Sequence, residues 1–225
     1  MLSIKTRLKN QLEGILDYIF PQFCLSCHQE GSMICQNCLQ ELSLLPENKN
    51  PWPGENFIFQ ECYICLDYHH PTVKKLIKKY KYGFFDNLAE PLANFYIQRI
   101  KNLGLNEDYI LCNIPLHPSK KRKRGFDQTE ILAKIIAQKL NLNYINLLQR
   151  TKRTKTQAQL DKPNRQKNVS QAFAINQKID LQTIKEQKII IIDDIATTGA
   201  TLNEAARVLK GAGFNQIIGL ALAKN

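Results

Sequence analysis

The sequence lacks any run of about 20 uninterrupted apolar residues, the length that a helix needs to cross a bilayer. Charged residues break every apolar stretch near the N-terminus, namely Lys5, Arg7, Lys9, Glu13 and Asp17. A secretory signal peptide needs an unbroken apolar core, so we expect no signal peptide and a cytoplasmic protein. The apolar residues between these charges recur at helical spacing, which predicts an amphipathic helix that packs on its own protein.

A phosphate-binding loop of the form G-x-x-x-x-G-K-[ST] is also missing, which argues against a P-loop ATPase. The sequence shows no internal repeat and no low-complexity tract. Hydrophobic residues make up 44% of the chain, more than a disordered protein would carry. At 225 residues, the chain can bury one sizeable core and still hold a small additional module.

Negative charge is scarce in one stretch of the sequence. Between Pro115 and Ser170 there are 14 Lys or Arg residues and three acids, whereas the rest of the chain holds 17 of each sign. The whole net charge of +11 therefore falls within this stretch. Such a concentration of positive charge favours a polyanionic partner, and both nucleic acid and a polyphosphate ligand fit that description.

Four of the seven cysteines form two C-x-x-C pairs, Cys24 with Cys27 and Cys35 with Cys38. In a cytoplasmic protein such pairs favour a metal site over disulfides. Two residues between thiolates let one turn aim both sulfurs at an ion, and two such turns complete a tetrahedral zinc site. An iron–sulfur cluster accepts the same ligands. Because four protein ligands leave no position for a substrate, we expect the metal to be structural.

The other three cysteines, Cys62, Cys65 and Cys112, lie in apolar runs that predict buried strands, and we interpret them as core residues. The segment Pro46–Gly54 is rich in proline and polar residues, which indicates a linker between two modules. The chain is therefore predicted to have three parts: an amphipathic helix with a zinc-finger module (1–50), a linker (51–59) and a larger domain (60–225).

The larger domain alternates two kinds of pattern. Helical spacing recurs in Val73–Tyr80, Asn87–Ile100, Gln128–Leu140 and Thr201–Lys210. Strand-like apolar runs occur at Cys62–Leu66, Tyr109–Ile114, Tyr144–Leu148, Lys188–Asp193 and Gln216–Ala223. This alternation predicts an α/β fold with a parallel sheet flanked by helices. Ligands bind beyond the carboxyl ends of the strands in such sheets, so we expect a site in the loops after Ile114 and Asp193.

The segment from Ile189 to Thr201, IIIIDDIATTGAT, carries the strongest functional signal. A buried strand ends in the adjacent carboxylates Asp193 and Asp194, and a short threonine-rich loop follows before a helix begins. The N–H groups at the start of that helix favour a phosphate, and Thr198 or Thr201 is expected to cap it. Like charges repel, so the carboxylates must serve a neighbouring hydroxyl-bearing or cationic group. A sugar with a 5′-phosphate has this layout, whereas a plain strand–turn–helix connection would need neither the acids nor the threonines.

Several further segments match the pattern of a known protein family, in the same order along the chain. They are Leu16–Pro21 leading into the cysteine pairs, Lys78–Gly83, Ile114–Ser119 with Arg122, Arg124, Gly125, Phe126 and Gln128, and then Gln157, Leu160, Arg165, Asn168, Ala172 and Phe173. With these segments the chain resembles the ComF family of competence-associated proteins. The loop after Ile192 resembles the motif by which phosphoribosyltransferases bind phosphoribosyl pyrophosphate (PRPP). One difference is Asp127, where the family usually has Asn.

The resemblance implies a type I phosphoribosyltransferase fold with an N-terminal four-cysteine zinc-binding module. It implies that the catalytic acids Asp193 and Asp194 accept hydrogen bonds from the ribose hydroxyls. The 5′-phosphate would be held by Ala196, Thr197, Thr198, Gly199 and Thr201. Cations on two loops would hold the pyrophosphate, among them Arg122, Arg124 and Arg165, with Mg²⁺ bridging pyrophosphate and ribose. For His117, both a general-base role and a structural role stay open.

Three functions are compatible with these features. The first is a Mg²⁺-dependent phosphoribosyltransferase with an unknown acceptor. The second is a PRPP or nucleotide sensor without efficient chemistry. The third, implied by the ComF resemblance, is an adaptor of natural transformation that binds single-stranded DNA and works beside a competence helicase; the basic stretch permits such binding.

Overall fold

The structure, a computed structural model, describes residues 21–52, 57–82, 86–152 and 170–225. The chain divides into two units, Met1–Leu42 and Ser43–Asn225. The amphipathic helix predicted near the N-terminus lies outside the described residues. Among the helices that the structure does describe, none is long and apolar enough to cross a membrane.

The first unit is organised around the two C-x-x-C turns. Phe23 and Glu30 form an antiparallel bridge on either side of the first turn. The second pair begins helix α1 (Gln36–Gln40), with Cys35 at its N-cap and Cys38 buried within it. Residues three apart lie on the same side of a helical turn, so the two side chains of this pair face the same direction.

The second unit is an α/β domain built on a five-stranded parallel sheet with the strand order β1-β7-β6-β2-β3. These strands are β1 (Glu61–Asp67), β2 (Tyr109–Asn113), β3 (Asn143–Tyr144), β6 (Lys188–Ala196) and β7 (Ile217–Lys224). A separate antiparallel pair is formed by β4 (Leu148–Arg150) and β5 (Phe173–Ile175). The helices are α2 (Pro71–Tyr82), α3 (Ala89–Asn102), α4 (Pro118–Arg124), α5 (Gln128–Leu140) and α6 (Ala200–Gly211), with 3₁₀ turns at Asp86–Leu88 and Leu181–Ile184.

Strand β6 lies at the centre of the parallel sheet, between β7 and β2. Its four consecutive isoleucines, Ile189 to Ile192, are fully buried. A strand that is apolar on both faces fits a sheet covered by helices on both sides, as the sequence predicted. The carboxyl end of β6 therefore brings its polar residues to the middle of one edge of the sheet.

The predicted strand at Tyr144–Leu148 is wrong in its extent. Strand β3 ends at Tyr144, and β4 begins only at Leu148. Between them the Ile145 N–H still bonds to β2, while the Leu147 N–H turns back to the carbonyl of Ile145 (2.9 Å). The apolar run is continuous in sequence, but this turn takes the chain from the parallel sheet into the antiparallel pair.

The segment before β1 packs along the second unit. The Leu45 N–H donates to the carbonyl of Cys65, and the Cys62 N–H donates to the carbonyl of Lys49, each at 2.8 Å. Trp52 and Phe59, from the predicted linker 51–59, are both buried in the core of this unit.

Candidate functional site

The two acids of the predicted loop lie inside strand β6. The strand continues to Ala196, because β7 pairs with it as far as Lys224. Asp193 and Asp194 are only 9% and 6% exposed. Both line a cavity of about 750 Å³ at the carboxyl ends of β2, β6 and β7. A parallel sheet places its ligands at this edge, so the loops predicted from the sequence do meet at one cavity.

Both carboxylate oxygens of Asp194 are engaged by neighbouring side chains. The Lys81 ammonium lies 2.8 Å from Oδ1, and the Gln128 amide donates to Oδ2 at 2.6 Å. Burial alone would raise the pKa of Asp194, but the Lys81 charge and these hydrogen bonds hold that pKa below its ordinary value. Asp194 is therefore an ionised carboxylate inside the domain.

Asp193 has the opposite electrostatic character. Its Oδ1 accepts the backbone N–H of Asp194 at 2.9 Å, and its backbone carbonyl accepts the Tyr96 hydroxyl. Burial, followed by the neighbouring charge of Asp194, raises the pKa of Asp193 to about 7. Two adjacent carboxyls with pKa values moved in opposite directions are characteristic of sites where one acid can hold a proton and the other a charge.

The threonine-rich loop connects β6 to helix α6, which begins at Ala200. Gly199 is the N-cap residue with φ of +72°, and no side chain caps the helix, so the predicted threonine cap is wrong. Glycine adopts this left-handed conformation without the strain that a Cβ would bring. Within the loop, Thr198 Oγ1 is buried without a hydrogen-bond partner among the described residues, and Thr198 does not line the cavity. The start of α6, with the positive end of its helix dipole, therefore lies beside the cavity, which Thr201 lines.

The residues assigned to the 5′-phosphate differ in their relation to the cavity. Thr197 and Thr201 line it beside the acid pair. Ala196 and Gly199 line a small adjoining hollow that shares Thr197 and Thr201 with the main cavity. The loop thus surrounds one end of the cavity, which is the arrangement that an anionic group would require.

Two aromatic side chains support this loop from behind and were missed by the sequence analysis. Trp52 Nε1 donates to the carbonyl of Thr197 at 2.7 Å. A Cβ placed on Gly199 would lie 3.0 Å from the Phe57 ring and 3.1 Å from the Trp52 ring. The presence of the only tryptophan in a polar segment was a signal that the sequence offered.

The cations of the basic stretch do not all reach the cavity. The residues from Pro118 to Arg124, expected on a loop, form helix α4, which His117 caps at one end and Gly125 (φ 86°) ends. Arg124 lines the cavity and donates to Gln128, whereas Arg122 is exposed and lies outside the lining. The cations in the lining are Lys74, Lys78, Lys81, Lys120, Lys123, Arg124 and Arg150. Arg165 lies outside the described residues.

Asp127 and His117, both uncertain from the sequence, serve as helix caps. Asp127 is the N-cap of α5, where it accepts N–H groups of that helix and also the Leu116 N–H at 2.8 Å. Burial raises the pKa of Asp127 against the effect of these donors. His117 Nδ1 accepts the Ser119 N–H at the start of α4. The negative charge at 127 is therefore used to hold two backbone segments together.

The four paired cysteines of the first unit converge. Each can offer one sulfur, and the four sulfurs of Cys24, Cys27, Cys35 and Cys38 lie within 4.8 Å of one another. The sulfurs of Cys27 and Cys35 are 3.6 Å apart. Sulfurs bound to one tetrahedral zinc at about 2.3 Å would lie about 3.8 Å from each other. The cluster therefore fits a metal ion.

Comparison with known proteins agrees with this geometry. Residues 128–225 match the phosphoribosyl transferase domain family. With its parallel sheet, flanking helices and acid pair at the end of β6, the second unit has the fold of a type I phosphoribosyltransferase. Solved structures similar to this chain include adenine phosphoribosyltransferase from Leishmania tarentolae (12% identity, 73% of this chain and 91% of that chain covered, TM-score 0.42). Adenine phosphoribosyltransferase from Leishmania donovani is another (13% identity, 72% of this chain and 83% of that chain covered, TM-score 0.41).

The relatives extend over most of the chain. Competence protein F of Haemophilus influenzae is 24% identical over 89% of this chain and 96% of its own. Competence protein ComFC of Streptococcus pneumoniae is 26% identical over 86% of this chain and 82% of its own length. The DNA utilization protein YhgH of Escherichia coli is 26% identical over 81% of this chain and 75% of its own length. These relatives and the domain match support a protein of the ComF family.

Proposed function

We propose that the protein binds PRPP in the cavity at the carboxyl end of β6 and transfers its phosphoribosyl group to an acceptor during DNA uptake. The observation that carries this proposal is the arrangement around the cavity. A buried acid pair, a helix N-terminus without a side-chain cap and a row of cations face the same space. PRPP presents a diol, a phosphate and a pyrophosphate, one for each of these features.

The acid pair suits the ribose. In the transfer, the bond from the sugar carbon to the pyrophosphate oxygen breaks, and a bond from the acceptor to that carbon forms. Positive charge develops on the sugar carbon meanwhile, and a fixed carboxylate nearby stabilises it. Asp194 is ionised by its surroundings, whereas Asp193, with a pKa of about 7, can accept from or donate to a hydroxyl.

The loop from Thr197 to Thr201 suits the 5′-phosphate. The start of α6 offers N–H groups and the positive end of a helix dipole. The Thr198 hydroxyl, which has no hydrogen-bond partner in the described part of the chain, would be one more donor.

The pyrophosphate would be held by cations of α4 and of the β4–β5 pair, chiefly Arg124 and Arg150. Mg²⁺ favours phosphate oxygens and retains several waters. Because the Lys81 ammonium already neutralises Asp194 and Asp193 is partly protonated near neutral pH, these residues would be weak ligands for a free Mg²⁺ ion. Mg²⁺ would therefore be held mainly by the pyrophosphate oxygens, where it would supply positive charge for the leaving group.

We also propose that the four-cysteine cluster holds a structural zinc ion. Four thiolates close the coordination shell, so the ion would stabilise the first unit and take no part in transfer. The role in DNA uptake rests on the competence and DNA utilization proteins to which the chain is related. The cations in the cavity lining permit single-stranded DNA as an alternative ligand.

The test is calorimetric titration of the full chain with PRPP, with and without Mg²⁺, and separately with single-stranded DNA. We expect PRPP to bind the wild type, and the double variant Asp193→Asn/Asp194→Asn to lose that binding while its circular dichroism spectrum is unchanged. The matched control, Asp108→Asn/Asp180→Asn, removes two exposed carboxylates elsewhere and should bind PRPP normally.

Each other result has a clear meaning. If the wild type binds DNA but no PRPP, the DNA adaptor function replaces our proposal. If the double variant binds PRPP as well as the wild type does, the acids of β6 are structural. If PRPP binds and no acceptor is ever modified, the protein is a sensor.

A further inference from the structure

We propose that Lys81 is the resident counter-ion of Asp194 and keeps free divalent metal off the acid pair. This inference rests on the proposed function, because it assigns the cation that the phosphoribosyl site uses at its carboxylate. It also gives a role to the segment of lysines and tyrosines at the end of α2, which the proposed function leaves unexplained.

The contact itself is largely shielded from solvent, with Asp194 buried and Lys81 partly buried. The Lys81 ammonium lies 2.8 Å from Asp194 Oδ1, and the two side chains are only 18% and 8% exposed. The other oxygen, Oδ2, accepts the Gln128 amide at 2.6 Å. An entering metal ion would meet the Lys81 charge beside Asp194 and would compete with both donors for its oxygens.

Neighbours on both sides of Lys81 hold it in place. The Tyr80 hydroxyl donates to the backbone carbonyl of Gln128 at 2.9 Å. The Tyr82 ring lies 5.2 Å from the guanidinium carbon of Arg124, and Arg124 donates to the Gln128 side chain. Tyr80, Lys81 and Tyr82 therefore contact Gln128, Asp194 and Arg124 in turn. Such a network fixes the lysine more firmly than a surface ion pair would be fixed.

The charge balance explains why a lysine serves here. The acid pair holds between one and two negative charges, since Asp193 is partly protonated near neutral pH. One ammonium compensates the ionised carboxylate without a metal. A divalent ion bound before the substrate would compete with the ribose hydroxyls for the same oxygens. Because the ion pair Lys81–Asp194 disfavours a free divalent ion at the acids, such an ion would bind together with the substrate, through the phosphate oxygens that it prefers.

The inference is tested with Mn²⁺ alone, followed by electron paramagnetic resonance at pH 8 on the zinc-loaded full chain. We expect the wild type to bind Mn²⁺ weakly and Lys81→Met to bind it about tenfold more tightly or better, because removing one nearby positive charge favours a cation by roughly that factor. Adding Asp194→Asn to Lys81→Met should abolish the gain. Lys78→Met, which removes a cation from the same cavity without touching Asp194, should stay within about threefold of the wild type.

Lys81→Gln is the second variant, because it keeps a hydrogen-bond donor and serves if Lys81→Met does not fold. The proposal is overturned if the wild type binds Mn²⁺ as tightly as the folded Lys81 variants do, or if Lys78→Met gains as much affinity. No PRPP is present, so failure of PRPP binding would contradict the proposed function and leave this result intact.

Discussion

The indole N–H of Trp52 donates a 2.7 Å hydrogen bond to the carbonyl of Thr197, across 145 residues of sequence. The ring is 7% exposed and lies against Gly199, while the Lys224 ammonium lies 5.5 Å from its centroid. A bond to the carbonyl of Thr197 fixes one peptide group of the loop that we assign to the 5′-phosphate. Trp52 is therefore a positioning residue for that loop.

Trp52→Phe should weaken PRPP binding as well as stability. The variant keeps an aromatic ring but leaves the carbonyl of Thr197 without its donor, so we expect the free energy of unfolding to fall by about 1–2 kcal/mol. PRPP affinity should fall about three- to tenfold. Phe59→Leu, in the same aromatic cluster, should lose similar stability and keep its affinity. Equal affinity losses in both variants would show that the effect is general destabilisation.

The sequence predicted those parts of the molecule that depend on local pattern. The apolar run of β6 and the helical spacing of α5 were sufficient to place both elements, and the acids next to that run marked the cavity. Contacts between distant segments were not predictable. Lys81 and Trp52 reach the site from elements far away in sequence, and α4 consists of polar residues without apolar periodicity. Its helix depends on its caps, which periodicity does not report.

Gly199→Ala should damage the loop more than an ordinary glycine substitution would. The new Cβ would meet Phe57 and Trp52 at 3.0 and 3.1 Å, and φ of +72° is unfavourable for alanine. We expect a loss of about 1–3 kcal/mol in the free energy of unfolding and a clear loss of PRPP affinity. Gly211→Ala, at the end of α6 in open space, should be neutral or slightly stabilising. Chemical denaturation of both variants checks this, and equal stability would contradict it.

The two acids should respond to substitution in opposite directions. The pKa of Asp193 is raised to about 7, so this carboxyl has no destabilising effect below pH 4. Its destabilising effect grows between pH 4 and about pH 7 and then levels off. Asp193→Asn should therefore stabilise the protein at pH 8, by about 2–4 kcal/mol at most, with the gain vanishing near pH 4.

The pKa of Asp194 is lowered, so its stabilising contribution is present above the ordinary value and is lost as pH falls. Asp194→Asn should destabilise the protein at pH 8, because it leaves the Lys81 charge buried without its partner. Urea unfolding at pH 5 and pH 8 measures both variants. Shifts of the same sign at pH 8 would contradict the assignment of the two protonation states.

One zinc ion per chain should co-purify with the protein, bound at the cysteine cluster. Cys27→Ser should release the metal and unfold the first unit, because binding and folding are coupled in such small sites. Cys112→Ala, a buried cysteine of the second unit, should keep one zinc. Elemental analysis with a chromogenic zinc assay reports the stoichiometry. Iron together with sulfide, or zinc retained in Cys27→Ser, would contradict the four-thiolate zinc site.

Arg124 and Arg122 offer the most direct test of which cations bind the pyrophosphate. They lie two residues apart on α4, but only Arg124 lines the cavity. Arg124→Gln and Arg122→Gln remove the same charge from nearly the same place, so their effects on the long-range field are similar. The difference between them isolates direct contact. Losing a charge-assisted hydrogen bond costs about 1.5–3 kcal/mol, so Arg124→Gln should weaken PRPP binding about 10- to 100-fold.

Arg122→Gln should change PRPP affinity less than about threefold at 0.15 M salt. Separate titrations with inorganic pyrophosphate and with ribose 5-phosphate show which part of PRPP Arg124 contacts. Arg124→Gln should weaken the binding of pyrophosphate and leave the binding of ribose 5-phosphate unchanged. An equal loss of affinity for ribose 5-phosphate would indicate that Arg124 contacts the 5′-phosphate instead. Equal losses in the two arginine variants would show that α4 acts through its field alone, and the pyrophosphate would then have to be held by other cations of the cavity.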